Sequence, residues 1–149
     1  HCLSSAASDV YKRQVYNKPN NLDSAKVFSD PPMNIAEINK KGEVCSLLTE
    51  EVNWKTNLNL RDGKYKVGIR PHNITTYKEG KNSIEINGKV LISELSGSES
   101  LIHFTNGDLN WVSLSEGIHQ KGVGEQTKLF MNADEFLYFD NNNQLVGNV

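Results

Sequence analysis

The sequence has few features of a secreted or membrane-spanning chain. Only two of its 149 residues are cysteines, Cys2 and Cys45, and they form neither a C-x-x-C motif nor a disulfide framework. A reducing compartment is therefore the simpler expectation. No apolar run approaches the ~18 residues that a membrane-spanning helix needs. The first residues also lack the cationic and then apolar pattern of a signal peptide.

An excess of positive charge is lacking too. Sixteen Lys and Arg residues stand against 18 Asp and Glu residues, which gives a formal net charge of -2. Proteins that bind nucleic acid or anionic membranes usually carry a strong basic field. We therefore expect protein partners and no nucleic acid.

Catalytic motifs are also missing. The nearest approach to a Walker A motif, Gly80-Lys81, lacks both the first glycine and the serine or threonine after the lysine. The pair Asp134-Glu135 is expected to be a solvated strand start, because adjacent strand residues face opposite sides. Three histidines lack the spacing of metal ligands: His72, His103 and His119. We predict no catalytic, cofactor-binding or metal-binding residue.

Short alternating apolar runs dominate the chain after Asn34. Leu58 and Leu60 precede Asp62-Gly63, which Tyr65 and Val67 follow, and this pattern predicts a β-hairpin. A second predicted hairpin has Asn106-Gly107 as its turn, between Ile102 with Phe104 and Leu109 with Trp111. On turn rules alone, Asn87-Gly88 is either a third turn or a bulge within one strand.

These signals predict an all-β fold of seven or eight short strands. With frequent Gly and Asn and no long helical run, the favoured architecture is an OB-like antiparallel β-barrel. One short N-terminal helix is expected, capped by Asn20 or Asn21 and ended by Pro31-Pro32. We expect four aromatic residues to fill the core: Trp54, Phe104, Trp111 and Tyr138.

The chain divides into three predicted segments. Residues 1–14 resemble translated sequencing-adapter read-through, and a native flexible tail is the alternative. Residues 15–33 are interpreted as the end of a preceding domain and a connecting helix. Residues 34–149 form the predicted barrel.

Several motifs, in order, resemble the C-terminal part of the ATPase subunits of bacterial sugar-type ABC importers, the class that takes up maltose or glycerol 3-phosphate. Val15 to Leu22, followed by Met33-Asn34, is similar to the stretch that leaves the nucleotide-binding domain. Glu135 to Asp140 resembles the closing strand of the C-terminal domain. Two further motifs carry the resemblance: Gly68-Ile69-Arg70-Pro71, and a later one made of Gly88-Lys89-Val90, Glu94-Leu95, Gly97 with Glu99, and His103.

The resemblance implies a TOBE-type, MOP-like regulatory domain that holds two ATPase subunits together. It implies no cofactor in this fragment, while ATP and Mg would bind the missing N-terminal part. The implied partners are a second copy of the subunit, the membrane permease subunits through the missing domain, and a cytosolic regulatory protein. The implied location is cytoplasmic, peripheral on the inner face of the bacterial cell membrane.

Two positions bear on the resemblance. His72 stands where the family usually has Glu, which leaves open what that carboxylate would pair with. The family has a continuous strand at Gly88, so we favour a bulge there over a turn. For Arg70 we expect a structural role, with its guanidinium bound to nearby carbonyls or to Glu94.

Three other functions remain as hypotheses. Related domains bind molybdate between barrels, although the small-residue pocket and Ser-Ala-Arg-Asn motif of those proteins are not found here. An oligonucleotide-binding barrel is disfavoured by the lack of a basic groove. An intact small enzyme would have to hydrolyse nucleotide without any of the usual motifs.

Overall fold

The computed structural model describes residues 21–22, 32–48 and 52–148. The predicted segment 1–14 and most of the predicted N-terminal helix lie outside these residues. The described part contains eleven strands and two single-turn 3-10 helices, at Pro71–Asn73 and Ala133–Glu135. The strands are β1 (Asn34–Lys41), β2 (Val44–Leu47), β3 (Asn53–Lys55), β4 (Gly63–Ile69), β5 (Ile74–Thr75), β6 (Ser83–Ser96), β7 (Glu99–Asn106), β8 (Leu109–Glu116), β9 (Gln126–Asn132), β10 (Leu137–Phe139) and β11 (Leu145–Asn148).

The strands form two antiparallel sheets. One has six strands in the order β11-β10-β4-β1-β2-β3, and the other has five in the order β5-β9-β6-β7-β8. The five-stranded sheet is nearly closed, because Ser113 Oγ of β8 donates to the Ile74 carbonyl of β5 at 2.5 Å. The Thr76 N–H donates to Ser115 Oγ beside it, at 3.2 Å. The predicted all-β, barrel-like fold is confirmed, with more strands than expected.

Two-residue loops connect three of the hairpins. The loops begin with Gly42, Gly97 and Gly107, whose φ angles are 61°, 62° and 57°. Positive φ at the first loop residue alone fits a type II′ turn, which favours glycine there. The predicted β7–β8 hairpin is confirmed, but its loop is Gly107-Asp108, one residue later than the Asn-Gly pair.

The hairpin predicted around Asp62-Gly63 is wrong. β4 pairs with β1 and β10, and residues 56–62 form no strand. Polar contacts hold this segment instead: the buried Lys40 ammonium donates to the Leu60 carbonyl at 2.6 Å, and the Gly42 N–H donates to Asp62 Oδ1 at 2.8 Å. Residues 56–62 are therefore hydrogen-bonded to the end of β1 and the β1–β2 turn, and they do not pair with β4.

Asn87-Gly88 lies inside one continuous strand, as favoured over a turn. The register irregularity is not at this dipeptide, however, but between Val90 and Ile92 where β6 pairs with β7. Gly88 is required for packing, since a Cβ there would overlap the ring of Phe104. The strand thus keeps its register with β9 at Gly88 and bulges three residues later.

One hydrophobic core joins the inner faces of both sheets. It includes Ile38 and Val67 from the six-stranded sheet and Ile86 and Ile102 from the five-stranded one. The four aromatic residues expected in the core are all buried there, which confirms that prediction: Trp54, Phe104, Trp111 and Tyr138. Asp134-Glu135, expected to begin a strand, instead lies in the second 3-10 helix.

Candidate functional site

No metal-binding cluster is found in the described ranges. These residues contain no group of three or more His, Cys, Asp and Glu side chains that could hold a metal ion. Cys45 is buried, and burial raises the pKa of its thiol, although the charge of Lys40 lowers it in part. A buried thiol with a raised pKa is a poor nucleophile.

The motif residues before β5 lie at a junction between strands. Gly68 of β4 faces Met33, and a Cβ at Gly68 would stand 2.5 Å from the Met33 sulfur. Arg70 is buried, and Pro71 opens the first 3-10 helix directly after it. Gly68 therefore allows the chain that enters β1 to pack closely against β4.

The other motif residues are spread along β6 and β7. Gly88 packs under Phe104, and Gly97 forms the β6–β7 turn. Glu94 is exposed on β6 opposite Leu101, and Glu99 begins β7. The structure therefore does not bring the motif residues together into one site.

Glu99 lies in an acidic pocket at the closing seam of the barrel. Glu99 is directly opposite Glu116 in the β7–β8 ladder, an arrangement in which like charges repel. The pocket has a volume of about 360 Å³, and Glu79 and Glu135 also line it. An anionic ligand would meet four carboxylates here, so the pocket is unsuited to an oxyanion.

His72 lines the same pocket. Its pKa is lowered, first by burial and then by the positive charge of Arg70, while the carboxylate of Glu135 acts in the opposite direction. His72 is therefore predominantly neutral at pH 7.

A larger cleft separates the two sheets at another place. Its volume of about 540 Å³ is bounded by residues 52–57 around β3 and residues 82–85 at the start of β6, together with Ala133 and Asp134. This volume is within the range of about 300–1,000 Å³ that is usual for ligand pockets. Sequence reasoning missed the cleft because it depends on which strand edges meet between sheets.

Five large apolar side chains are exposed on the far half of β6 and on the loop that follows β8. We call them the hairpin-tip patch: Leu91, Ile92, Leu95, Ile118 and Val123. Hydrogen bonds from the Gly124 N–H to the Val90 carbonyl and from the Lys121 N–H to Ser93 Oγ hold the loop of Ile118 and Val123 beside β6. Ile118 and Val123 are 72% and 80% exposed. Large apolar side chains exposed in one region of a surface are candidates for an interaction surface.

Comparisons with known proteins add no family assignment. No family model matches this chain, and no curated protein matches it. Among the residues that the structure describes, no helix is both long and apolar enough to cross a membrane.

Proposed function

We propose that this chain is a non-catalytic regulatory and dimerisation domain from the ATPase subunit of an ABC importer for sugars or sugar-like solutes. The observation that carries the proposal is the hairpin-tip patch on a barrel whose core is already filled. The dimerisation role is assigned to this patch. The assignment to an importer rests on the sequence motifs, which occur in the same order as in the ATPase subunits of sugar importers.

The motif residues support a scaffold role because their contacts are structural. Asn34 of the Met-Asn pair binds the backbone of β8, Gly68 admits Met33, and Gly88 admits Phe104. Each serves packing or strand pairing. Their spacing in sequence thus corresponds to a requirement of the barrel.

A second copy is the proposed occupant of the patch. In a two-fold dimer the same patch faces itself, so an apolar surface is automatically complementary to its copy. Beyond Lys89 the β9 side of β6 is covered by the loop of Gly124 and Glu125, which bonds both backbone groups of Val90, so side chains rather than an open strand edge would form the contact. An apolar, side-chain surface of this kind favours self-association over the binding of a small solute.

In the proposed parent protein, ATP and Mg would bind a domain that precedes residue 34, and residues 15–33 would connect the two. The protein would be cytoplasmic and peripheral on the inner membrane face. The permease subunits would contact the preceding domain, and a cytosolic regulator is a further proposed partner.

The test is the oligomeric state of the purified chain. We expect a concentration-dependent dimer in sedimentation equilibrium, and Ile92→Glu and Leu95→Glu should each shift it to monomer. Val44→Glu is the matched control, because Val44 is 41% exposed on β2, outside the patch. A wild-type monomer at all concentrations, or equal loss of dimer in the control, would contradict the proposal.

The importer class is tested separately. Genomic DNA upstream of the codon for Val15 should encode Walker A, a Leu-Ser-Gly-Gly-Gln signature and Walker B, in that order. The chain itself should show no ATP hydrolysis above background. Turnover by the purified chain would support an intact enzyme instead.

The two binding alternatives also make different predictions. An oxyanion sensor should be stabilised by molybdate, since a ligand of the native state raises the unfolding free energy. An oligonucleotide-binding barrel should bind single strands with an affinity that falls steeply with salt. We expect neither effect.

A further inference from the structure

Two strands from different sheets expose an edge to the 540 Å³ cleft. β3 is the last strand of the six-stranded sheet. The first half of β6 pairs with β9 on one side, while β7 pairs with β6 only from Lys89 onward. Within the residues that the structure describes, the cleft therefore lies between two strand edges that lack a neighbouring strand.

On the β3 side, the backbone groups of Asn53 and Lys55 face the cleft. The Val52 carbonyl accepts from the Leu47 N–H, and the Thr56 N–H donates to the Glu43 carbonyl, so Val52 and Thr56 turn towards β2. Backbone groups alternate sides along an antiparallel strand. Asn53 and Lys55 thus direct theirs away from β2.

On the β6 side of the cleft, the backbone N–H and C=O groups of Ser83 and Glu85 point into the cleft. The Ala133 N–H donates to the Asn82 carbonyl, which places Asn82 on the β9 side. The Asn87 carbonyl accepts from Asn106 Nδ2 on the opposite side. By alternation, Ser83 and Glu85 share the direction of Asn87, into the cleft.

These four residues have no partner for their cleft-facing backbone groups in the described part of the chain. The ladders account for their other sides only. An unpaired strand edge is a template on which an extended peptide adds as a further strand. Here two such edges border one groove.

The side chains around the groove specify the peptide further. Val52, Trp54, Ile84 and Ala133 form an apolar floor of buried and half-buried residues. The rim is polar, and its charged members are Lys55, Glu85 and Asp134. A strand laid in the groove would turn every second side chain to the floor and the others to the rim.

We propose that this cleft binds an extended peptide segment of a partner protein by β-strand addition. The segment has alternating apolar and polar residues and carries basic side chains opposite Glu85 and Asp134. Glu85 is already 3.1 Å from Lys128. That surface ion pair contributes little, so it can exchange for one with the peptide.

The proposal does not depend on dimerisation, because the hairpin-tip patch uses the other half of β6. Panning a phage library of random octapeptides on the full chain should enrich alternating apolar and basic sequences. A selected peptide, made synthetically, should shift the amide resonances of Asn53, Lys55, Ser83 and Glu85 and protect them from hydrogen exchange. A control peptide of the same composition, with its apolar residues grouped at one end, should not.

Proline substitutions test the backbone contacts. Lys55→Pro and Ser83→Pro each remove a cleft-facing N–H without removing a ladder bond. Each should weaken binding of the selected peptide by about tenfold, the equivalent of one hydrogen bond of ~1.4 kcal/mol. Asn110→Pro, on the edge strand β8 and outside both the cleft and the hairpin-tip patch, is the matched control and should change binding by less than about twofold. Circular dichroism identifies any variant that fails to fold.

Three results would overturn the proposal. One is a library that yields no enriched peptide. Another is a selected peptide that shifts amides elsewhere, or that binds both cleft variants as tightly as wild type. The third is full protection of the four amides in the protein without peptide, because the edges would then already be covered by this chain or by a second copy.

Discussion

Asn34 and Val112 connect the two sheets through reciprocal hydrogen bonds. Asn34 Nδ2 donates to the Val112 carbonyl at 2.8 Å, and the Val112 N–H donates to Asn34 Oδ1, also at 2.8 Å. One side-chain amide thus satisfies both backbone groups of a residue at the edge of β8. The Asn34 side chain thus makes the two hydrogen bonds that a neighbouring strand would make with Val112.

The first prediction is that Asn34→Ala destabilises the fold. Both Val112 groups would lose their partner in a part-buried setting, at a cost of about 1–3 kcal/mol. Asn34→Asp should also destabilise, because a carboxylate accepts from the Val112 N–H but cannot donate to its carbonyl. Urea denaturation measures both.

Asn39→Ala is the matched control, since Asn39 is exposed on the same strand. It should change the unfolding free energy by less than about 0.5 kcal/mol. Equal losses in Asn34→Ala and Asn39→Ala would mean that the reciprocal pair contributes nothing.

A second prediction concerns Gly88. An added Cβ would overlap the Phe104 ring, so Gly88→Ala should cost about 1–3 kcal/mol through overpacking. Gly122→Ala is the control, because its Cβ would meet only Glu125 Oε2, at 3.7 Å. Thermal denaturation should separate the two variants clearly.

A double-mutant cycle with Phe104 tests whether the ring causes the loss of stability in Gly88→Ala. If the ring is the obstacle, Phe104→Leu should cost less in the Gly88→Ala background than in wild type. Strict additivity in this double-mutant cycle would mean that the loss comes from the backbone of β6 instead.

The sequence predicted those parts of the fold that depend on residues close together in the chain. The β7–β8 hairpin follows from alternation around a glycine turn, and the buried aromatics follow from composition. The hairpin around Asp62-Gly63 failed because tertiary contacts from Lys40 and Gly42 capture that segment. Nothing in the sequence near residue 60 indicates that Lys40 is buried.

The candidate sites were less accessible to sequence reasoning. The cleft depends on the edge of β3 meeting the edge of β6, which are separate in the chain and belong to different sheets. The acidic pocket depends on Glu99 lying opposite Glu116 and on Glu135 approaching from a third segment. The family resemblance included Glu99, but it did not indicate which other carboxylates would lie beside Glu99 in the pocket.

The third prediction addresses barrel closure. The hydroxyls of Ser113 and Ser115 link β8 to the segment around β5, where a continuous backbone ladder is missing. Replacing both with Ala should cost about 1–3 kcal/mol and increase amide exchange at Thr76. Ser98→Ala in the exposed β6–β7 turn is the control. Unchanged exchange at Thr76 in the double variant would show that the hydroxyls do not close the seam.

The last prediction uses the buried pair formed by Trp54 and Tyr138. Trp54 Nε1 donates to Tyr138 Oη at 2.8 Å inside the core. Tyr138→Phe leaves this N–H without its partner and should cost about 1–3 kcal/mol at pH 7. Tyr65→Phe is the control, since the Tyr65 hydroxyl donates to the Arg61 carbonyl at the surface and its loss should cost less.

The pH dependence of this pair has a definite sign. Burial is the main cause that raises the pKa of Tyr138 from 10.0 to about 12. Between these two values the folded state keeps a proton that the unfolded state has released, so the free energy of unfolding falls as the pH rises through this window. The Phe variant lacks this titration, and its stability should fall less steeply, so the two curves converge at alkaline pH. Urea titrations from pH 7 to about 12 measure this difference, and parallel curves would contradict the buried phenol as its source.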